Sequence, residues 1–221
     1  MIPATASVAA DVAAATNAGG YPARMHDRLA RAVSILGHPL LVLPAALALP
    51  AVLRDGDPQA LRSIVTGFAV FAAMMLAWSW WQVKRGRWAH VDASRPSERS
   101  TLNRTLLVAI ALGALLAWLR SPTPDLAIML TLAACIVAAA MLASRWCKLS
   151  LHGAMAVYAA GLLWPLGAWA VGAGCAFAAL VAWSRLQLSR HQPRDIVAGA
   201  AAGALAAVAV WLMPHLLRAT P

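Results

Sequence analysis

Seven long apolar runs, at about 33–53, 62–82, 104–120, 125–143, 151–168, 170–185 and 195–217, narrow the folds open to this chain more than any other feature. Each approaches the roughly 17–25 residues that a membrane-spanning helix needs, with 104–120, 151–168 and 170–185 at the short end. Ala and Leu dominate the runs and Gly is scattered through them, without the polar–apolar alternation of barrel strands. The 221 residues are 62% hydrophobic and 12% charged, with mean hydropathy +0.70, which leaves too little charge to cover a water-exposed surface. The expected fold class is all-α: a polytopic membrane bundle of about six or seven transmembrane helices.

Residues 1–31 read as a largely disordered N-terminal tail and 32–218 as one transmembrane domain. The first 22 residues are Ala-rich, carry Asp11 and have no basic stretch, so they do not read as a cleavable signal peptide. Arg24, Arg28 and Arg31 then lead into the first apolar run. That run holds His38-Pro39, Pro44 and Pro50, which makes it a candidate for a broken or re-entrant segment. Cys135, Cys147 and Cys175 share no metal-ligand spacing, and two of them lie inside apolar runs as small apolar thiols.

With seven spans, the N-terminus and the loops around 83–103, 144–150 and 186–194 fall on one side of the membrane. Fourteen of the 18 Lys and Arg lie on that side, against Arg54, Arg62, Arg120 and Arg218 on the other. The positive-inside rule then puts this face in the cytoplasm. The net charge of +10 points to lipid headgroups as the anionic partner and not to nucleic acid, because the cations sit in short loops between spans.

The same three loops hold the polar residues that chemistry would use. Hydrolysis of a phosphate monoester needs a nucleophile, cations for the equatorial oxygens and a proton for the leaving alkoxide. His191 is the candidate nucleophile, attacking phosphorus to give a phosphohistidine. Asp195, one helical turn on, is expected to accept from one ring nitrogen, fix the tautomer and support the imidazolium. Pro193 suits the first turn of the helix that starts there, whose N-terminus adds positive potential beside a phosphate. An isolated H-x3-D is more often an interfacial histidine beside a capping carboxylate, so its neighbours matter. Arg185, where the preceding helix leaves the membrane, can hold two phosphate oxygens in its fork. His152 is the candidate general acid, with Lys148 and Ser150 binding phosphate oxygens. In the crowded first loop, Arg95-Pro96 is the element expected at the phosphate. Gly199 and Gly203 form a small-xxx-small face suited to helix packing.

Together these stretches resemble the type 2 phosphatidic acid phosphatase superfamily, which includes bacterial acid phosphatases and vanadium haloperoxidases. The pattern of that family is K-x6-RP, then PSGH, then SR-x5-H-x3-D. The third motif matches without a gap as Ser184, Arg185, His191 and Asp195. The second is partial: Leu149-Ser150-Leu151-His152 keeps Ser and His but lacks Pro and Gly. The first keeps Arg95-Pro96, with Trp88 where the family has Lys; Lys148, just before the second motif, is the substitute ammonium, with Lys84 and Arg87 weaker ones. The resemblance covers roughly residues 80–215. It implies a helical bundle with a metal-free, cofactor-free site at a membrane surface, in a bacterial inner membrane. The implied substrates are lipid phosphates such as phosphatidate, phosphatidylglycerophosphate or polyprenyl diphosphates. Many bacterial relatives place the site on the outer side, in conflict with the charge count, and the cytoplasmic assignment is kept because it comes from this chain.

The leading expectation is thus a membrane lipid-phosphate phosphatase using a phosphohistidine. A catalytically inactive lipid-phosphate binder or scaffold is the alternative, prompted by the altered first and second motifs. A haem bundle is disfavoured because the six His lie mostly at boundaries, and a prenyltransferase because the loops lack Asp-rich magnesium motifs.

Overall fold

The computed structural model describes residues 20–54, 56, 58–89, 96–120 and 124–219, and every regular element among them is helical. The chain forms α1 (Gly20–Leu36), α2 (Pro39–Leu53), α3 (Pro58–Lys84), α4 (Pro96–Arg120), α5 (Asp125–Ala143), α6 (Leu151–Leu162), a 3-10 turn (Trp164–Leu166), α7 (Ala168–Gln187) and α8 (Pro193–Ala219). Five stretches are long and apolar enough to cross a membrane: Leu61–Lys84, Ser97–Arg120, Asp125–Ala143, Ala168–Gln187 and Pro193–Met213. The helix pair α1 and α2, bent by 56° between Leu36 and Pro39, makes a sixth if it counts as one span. This is the polytopic helical architecture that the apolar runs imply.

Two elements differ from the sequence expectation. The run 151–168 is a short helix closed by Pro165 and by Gly167 at φ 102°, a left-handed conformation that side chains other than hydrogen disfavour. Residues 20–31, assigned to the tail, begin α1 instead. Ala30 is fully buried while Arg28 and Arg31 stay exposed, so the helix has one face to pack and another for solvent or headgroups. Residues 1–19 of the expected tail lie outside the described residues.

At the centre is α6, which packs against α2, α5, α7 and α8. Between Gly153 and Ala160 every residue except Val157 is buried. Its alanines bring the neighbouring backbones close, and against α8 the approach to two backbone carbonyls is one that only glycine allows. A Cβ on Gly199 would lie 2.6 Å from the Ser150 carbonyl oxygen, and one on Gly203 would collide with that of Ala154. Helices α6 and α8 therefore touch backbone to backbone. Tyr158, fully buried, donates from its hydroxyl to the Met129 carbonyl at 2.8 Å and ties α6 to α5. Leu43 and Leu47 from α2, Ile136 and Val137 from α5, and Met155 and Leu162 from α6 complete the core.

The outer helices are inverted relative to a water-soluble protein. Val65, Val70, Met74 and Leu76 on α3, and Val108, Leu112, Leu115 and Leu119 on α4, are exposed, as lipid-facing side chains should be. At the end of α3, Lys84 sits over the Trp80 ring at 3.8 Å and Arg85 over Trp81 at 4.1 Å. Such cation–aromatic pairs suit a membrane boundary.

Candidate active site

Residues 147–150, leading into α6, run beside residues 190–195, which lead into α8, and a ladder of hydrogen bonds joins them. The Lys148 N–H donates to Asp195 Oδ1 at 3.1 Å, and the Ser150 N–H donates to the Asp195 carbonyl at 3.0 Å. Lys148 Nζ donates to the Arg190 carbonyl at 3.0 Å, and the Lys148 carbonyl lies 3.0 Å from His191 Nδ1. Two segments some 45 residues apart are thus locked at a fixed offset. Asp195 contributes most. Its Oδ2 also accepts from the Gln192 N–H at 3.0 Å, so the carboxylate joins the first turn of α8 to the approach of α6.

For His191 this fixes the chemistry of the ring. A carbonyl can only accept, so Nδ1 carries the proton and Nε2 keeps its lone pair. The expected partner for this role was Asp195, but its Oδ2 is 3.7 Å from Nδ1, too far for a hydrogen bond though close enough to favour an imidazolium. The Lys148 carbonyl, at 3.0 Å, sets the tautomer, while the carboxylate oxygens accept backbone N–H groups. Burial, then the charges of Arg185 and Lys148, pull the His191 pKa down to about 4, against the opposing pull of the Lys148 carbonyl and Asp195. His191 is therefore neutral near pH 7. Lys148 is also pulled below the usual lysine range, first by burial and then by Arg99 and Arg185, with Arg190 adding to them and Asp195 opposing.

Arg185 reaches the site from the last turn of α7. Its Nη1 donates to Ser34 Oγ on α1 at 2.8 Å, and its buried Nε–H has no acceptor among the described residues. A buried guanidinium N–H without an acceptor is costly unless an anion completes it. His152, in the first turn of α6, lies within electrostatic reach of Arg185, His38 and His191. An open groove of about 550 Å³ covers the junction, lined by Lys148, Leu186, Arg190, His191, Arg194 and Asp195.

The remaining candidates are placed as follows. Ser150 is fully buried and its Oγ accepts from the Gly153 N–H at 3.3 Å, so the hydroxyl expected at a phosphate caps α6 here. Arg95 lies outside the described residues, as do His90 and Asp92. Trp88, at the position of the family lysine, is buried edge-on against Trp78 with ring centroids 5.0 Å apart. Glu98 is buried and accepts from the Ala89 N–H at 2.8 Å, closing the end of α3 onto the start of α4. That closure brings Arg99, on the first turn of α4, within electrostatic reach of Lys148. Arg99, Ser34 and His38 are the site residues that sequence reasoning did not assign. The only signal for the last two was a pair of polar residues in an otherwise apolar run.

Residues 145–219 match the family model of the PAP2 superfamily. The matched segment is about a third of the chain and contains α6, α7 and α8 with the second and third motifs. No curated protein and no solved structure matches the chain significantly. The PAP2 match agrees with the resemblance carried by Ser184, Arg185, His191 and Asp195, and it supports a phosphatase-type fold. Together with the five long apolar helices, it fits an integral membrane protein. Helices α1 to α5, of which α1, α2 and α5 pack against the matched segment, lie outside the match.

Proposed function

We propose that this protein is an integral membrane phosphatase that hydrolyses the phosphomonoester or diphosphate of a lipid through a phosphohistidine on His191, without a metal. The observation that carries the reading is the His191 ring. Its Nδ1–H is bound to the Lys148 carbonyl, and its free Nε2 belongs to a site with a buried, incompletely paired Arg185. In the first step Nε2 attacks phosphorus while the bond to the leaving oxygen breaks and His152 gives that oxygen a proton. The cation formed on His191 is supported by Asp195 3.7 Å away, with Arg185 and Lys148 holding the phosphoryl oxygens. In the second step water attacks the phosphohistidine, loses a proton to His152 and releases inorganic phosphate. The groove beside apolar helix ends suits a lipid whose tail stays in the membrane, and the charge bias of the loops favours a cytoplasmic face in a bacterial inner membrane.

The test is phosphate release by the purified protein from phosphatidate, phosphatidylglycerophosphate and polyprenyl diphosphate with EDTA present, beside His191→Ala. Release that disappears in the variant is expected; release that persists would remove the phosphohistidine. Two observations favour a second reading, a member that binds lipid phosphate without turnover: Ser150 is committed to a helix cap, and Trp88 is packed away where the family has Lys. Binding of phosphatidate vesicles with no phosphate released would support that reading.

A further inference from the structure

The break between α1 and α2 is built in detail and is aimed at the site. Pro39 biases the residue before it away from helix, and His38 is accordingly extended at φ −65°, ψ 135°. His38 Nδ1 then accepts the Leu40 N–H at 3.2 Å and caps α2. Because Nδ1 is the acceptor, the proton of the neutral ring is on Nε2. One residue earlier, Gly37 meets α7 so closely that a Cβ there would collide with a methyl of Val181, one turn before Arg185. Ser34 binds that arginine, and the His38 ring stands edge-on to His152 with centroids 5.2 Å apart and an interplanar angle of 88°.

His152 needs such support. The second side-chain torsion of histidine is soft, so the direction of its nitrogens is set by whatever packs the ring. Among the described residues His152 makes no hydrogen bond through its ring, which leaves the perpendicular contact with His38 to orient it. A proton donor to a leaving oxygen is effective only when aimed within tenths of an ångström, and second neighbours commonly provide that aim. We propose that His38, outside the segment matched to the PAP2 superfamily, is a positioning residue that fixes the ring of His152 for proton transfer. The inference rests on the phosphatase reading and adds to it a residue from the N-terminal helices.

Two substitutions separate this role from that of a helix cap. His38→Asn keeps a good cap and removes the ring; His38→Phe keeps an edge-on ring and removes the cap. Each is made in the full chain and assayed beside wild type and His191→Ala. One substrate is phosphatidate, whose leaving oxygen needs a proton; the other is p-nitrophenyl phosphate, whose leaving group does not. For phosphatidate, His38→Asn is expected to lower kcat/KM by about 10- to 100-fold while His38→Phe stays within about threefold of wild type. In kcat/KM on p-nitrophenyl phosphate, which reports phosphohistidine formation and not its later hydrolysis, both variants should match wild type. In a His152→Ala background, His38→Asn should cost nothing further. Retention of full phosphatidate turnover by His38→Asn would overturn the inference. So would equal losses in the two variants, or equal losses on the two substrates. Where another lipid phosphate of the panel is the one hydrolysed, it takes the place of phosphatidate; should wild type release no phosphate from any of them or from p-nitrophenyl phosphate, the phosphatase reading falls and this inference with it. Should wild type be active, His191→Ala dead and His38→Asn unaffected, this inference alone falls.

Discussion

The carbonyl oxygen of Lys148 lies 3.0 Å from Nδ1 of His191, and this bond decides which nitrogen of the ring is free to react. It comes from a backbone group 43 residues away, on a segment held in place by Asp195. Substitution of His191 by Ala removes the nucleophile and leaves the ladder between the two segments intact, since the Lys148 and Ser150 N–H bonds to Asp195 do not use the ring. Phosphate release should fall by about a thousandfold or more, with thermal unfolding close to wild type. Residual turnover near wild type in a folded variant would mean that another group attacks phosphorus.

A pH profile tests the electrostatics of the same ring. His191 is active when unprotonated, and burial with Arg185 and Lys148 brings its pKa to about 4. The acid limb of kcat/KM should therefore lie near pH 4, well below the value of about 6.5 of an unperturbed histidine. The second ionisation of the substrate is titrated separately and divided out. The stability consequence has a definite sign. Between about pH 6.5 and pH 4 the unfolded chain takes up a proton that folded His191 refuses, so stability falls as pH drops through that window and levels off below it. An acid limb at 6.5 would show that the ring is not held neutral.

Asp195→Asn separates the carboxylate from its charge. The carboxylate accepts two N–H groups, from Lys148 on Oδ1 and from Gln192 on Oδ2, and an asparagine amide can accept only one of them. One buried N–H would then face an NH₂ group, a loss of about 1–3 kcal/mol in stability. Activity should fall as well, through a displaced Lys148 carbonyl and a weaker field at the His191 imidazolium. The measurement is thermal unfolding in detergent, where Asp195→Asn is expected to melt below His191→Ala. The reverse order would show that Asp195 serves the ring more than the backbone ladder.

The contrast between what was and was not legible follows from range. The helices were readable because lipid imposes one rule on every span; His191 and Asp195 lie close in sequence, but His191 precedes α8 and its ring stays 3.7 Å from the carboxylate. The run 151–168 forms a shorter helix than its hydropathy suggests because Pro165 and Gly167 end it early, a matter of backbone conformation. Residues 20–31 looked like tail because their apolar content is low, yet tertiary packing of Ala30 and the Ser34–Arg185 bond hold α1 against α7. No local pattern announces a bond across 151 residues, or a carbonyl that selects a tautomer. Arg95, the expected phosphate contact of the first loop, lies outside the described residues; Arg99, one turn further, is within the field of Lys148.

Arg185→Lys keeps the charge and loses the fork. In the wild type one arm is bound to Ser34 while the buried Nε–H is free among the described residues for an anion, and a single ammonium cannot serve both directions. The expected loss is about 10- to 100-fold in kcat/KM, the kinetic equivalent of one or two charge-assisted hydrogen bonds. Ser34→Ala should produce a smaller loss in the same direction, because it frees the guanidinium without removing it. Phosphate-release kinetics on both variants check the order; a Ser34→Ala loss equal to that of Arg185→Lys would mean that orientation of the arginine is the whole of its contribution.

The contact between α6 and α8 gives the sharpest test of packing, because it depends on a single missing methyl. In Gly203→Ala the new Cβ meets the Ala154 carbonyl oxygen, a backbone atom that cannot rotate away. The helices must separate, at a cost of about 1–3 kcal/mol, and because α6 carries His152 while α8 follows His191, the two imidazoles shift relative to each other. Both the unfolding temperature and kcat/KM should drop. The control is Gly172→Ala on α7, where nothing lies within 4 Å of the added Cβ and alanine is the better helix former, so stability should hold or rise. Equal behaviour of the two variants would show that α6 and α8 are not in backbone contact. A drop confined to Gly203→Ala in both measurements would tie the geometry of the site to that contact.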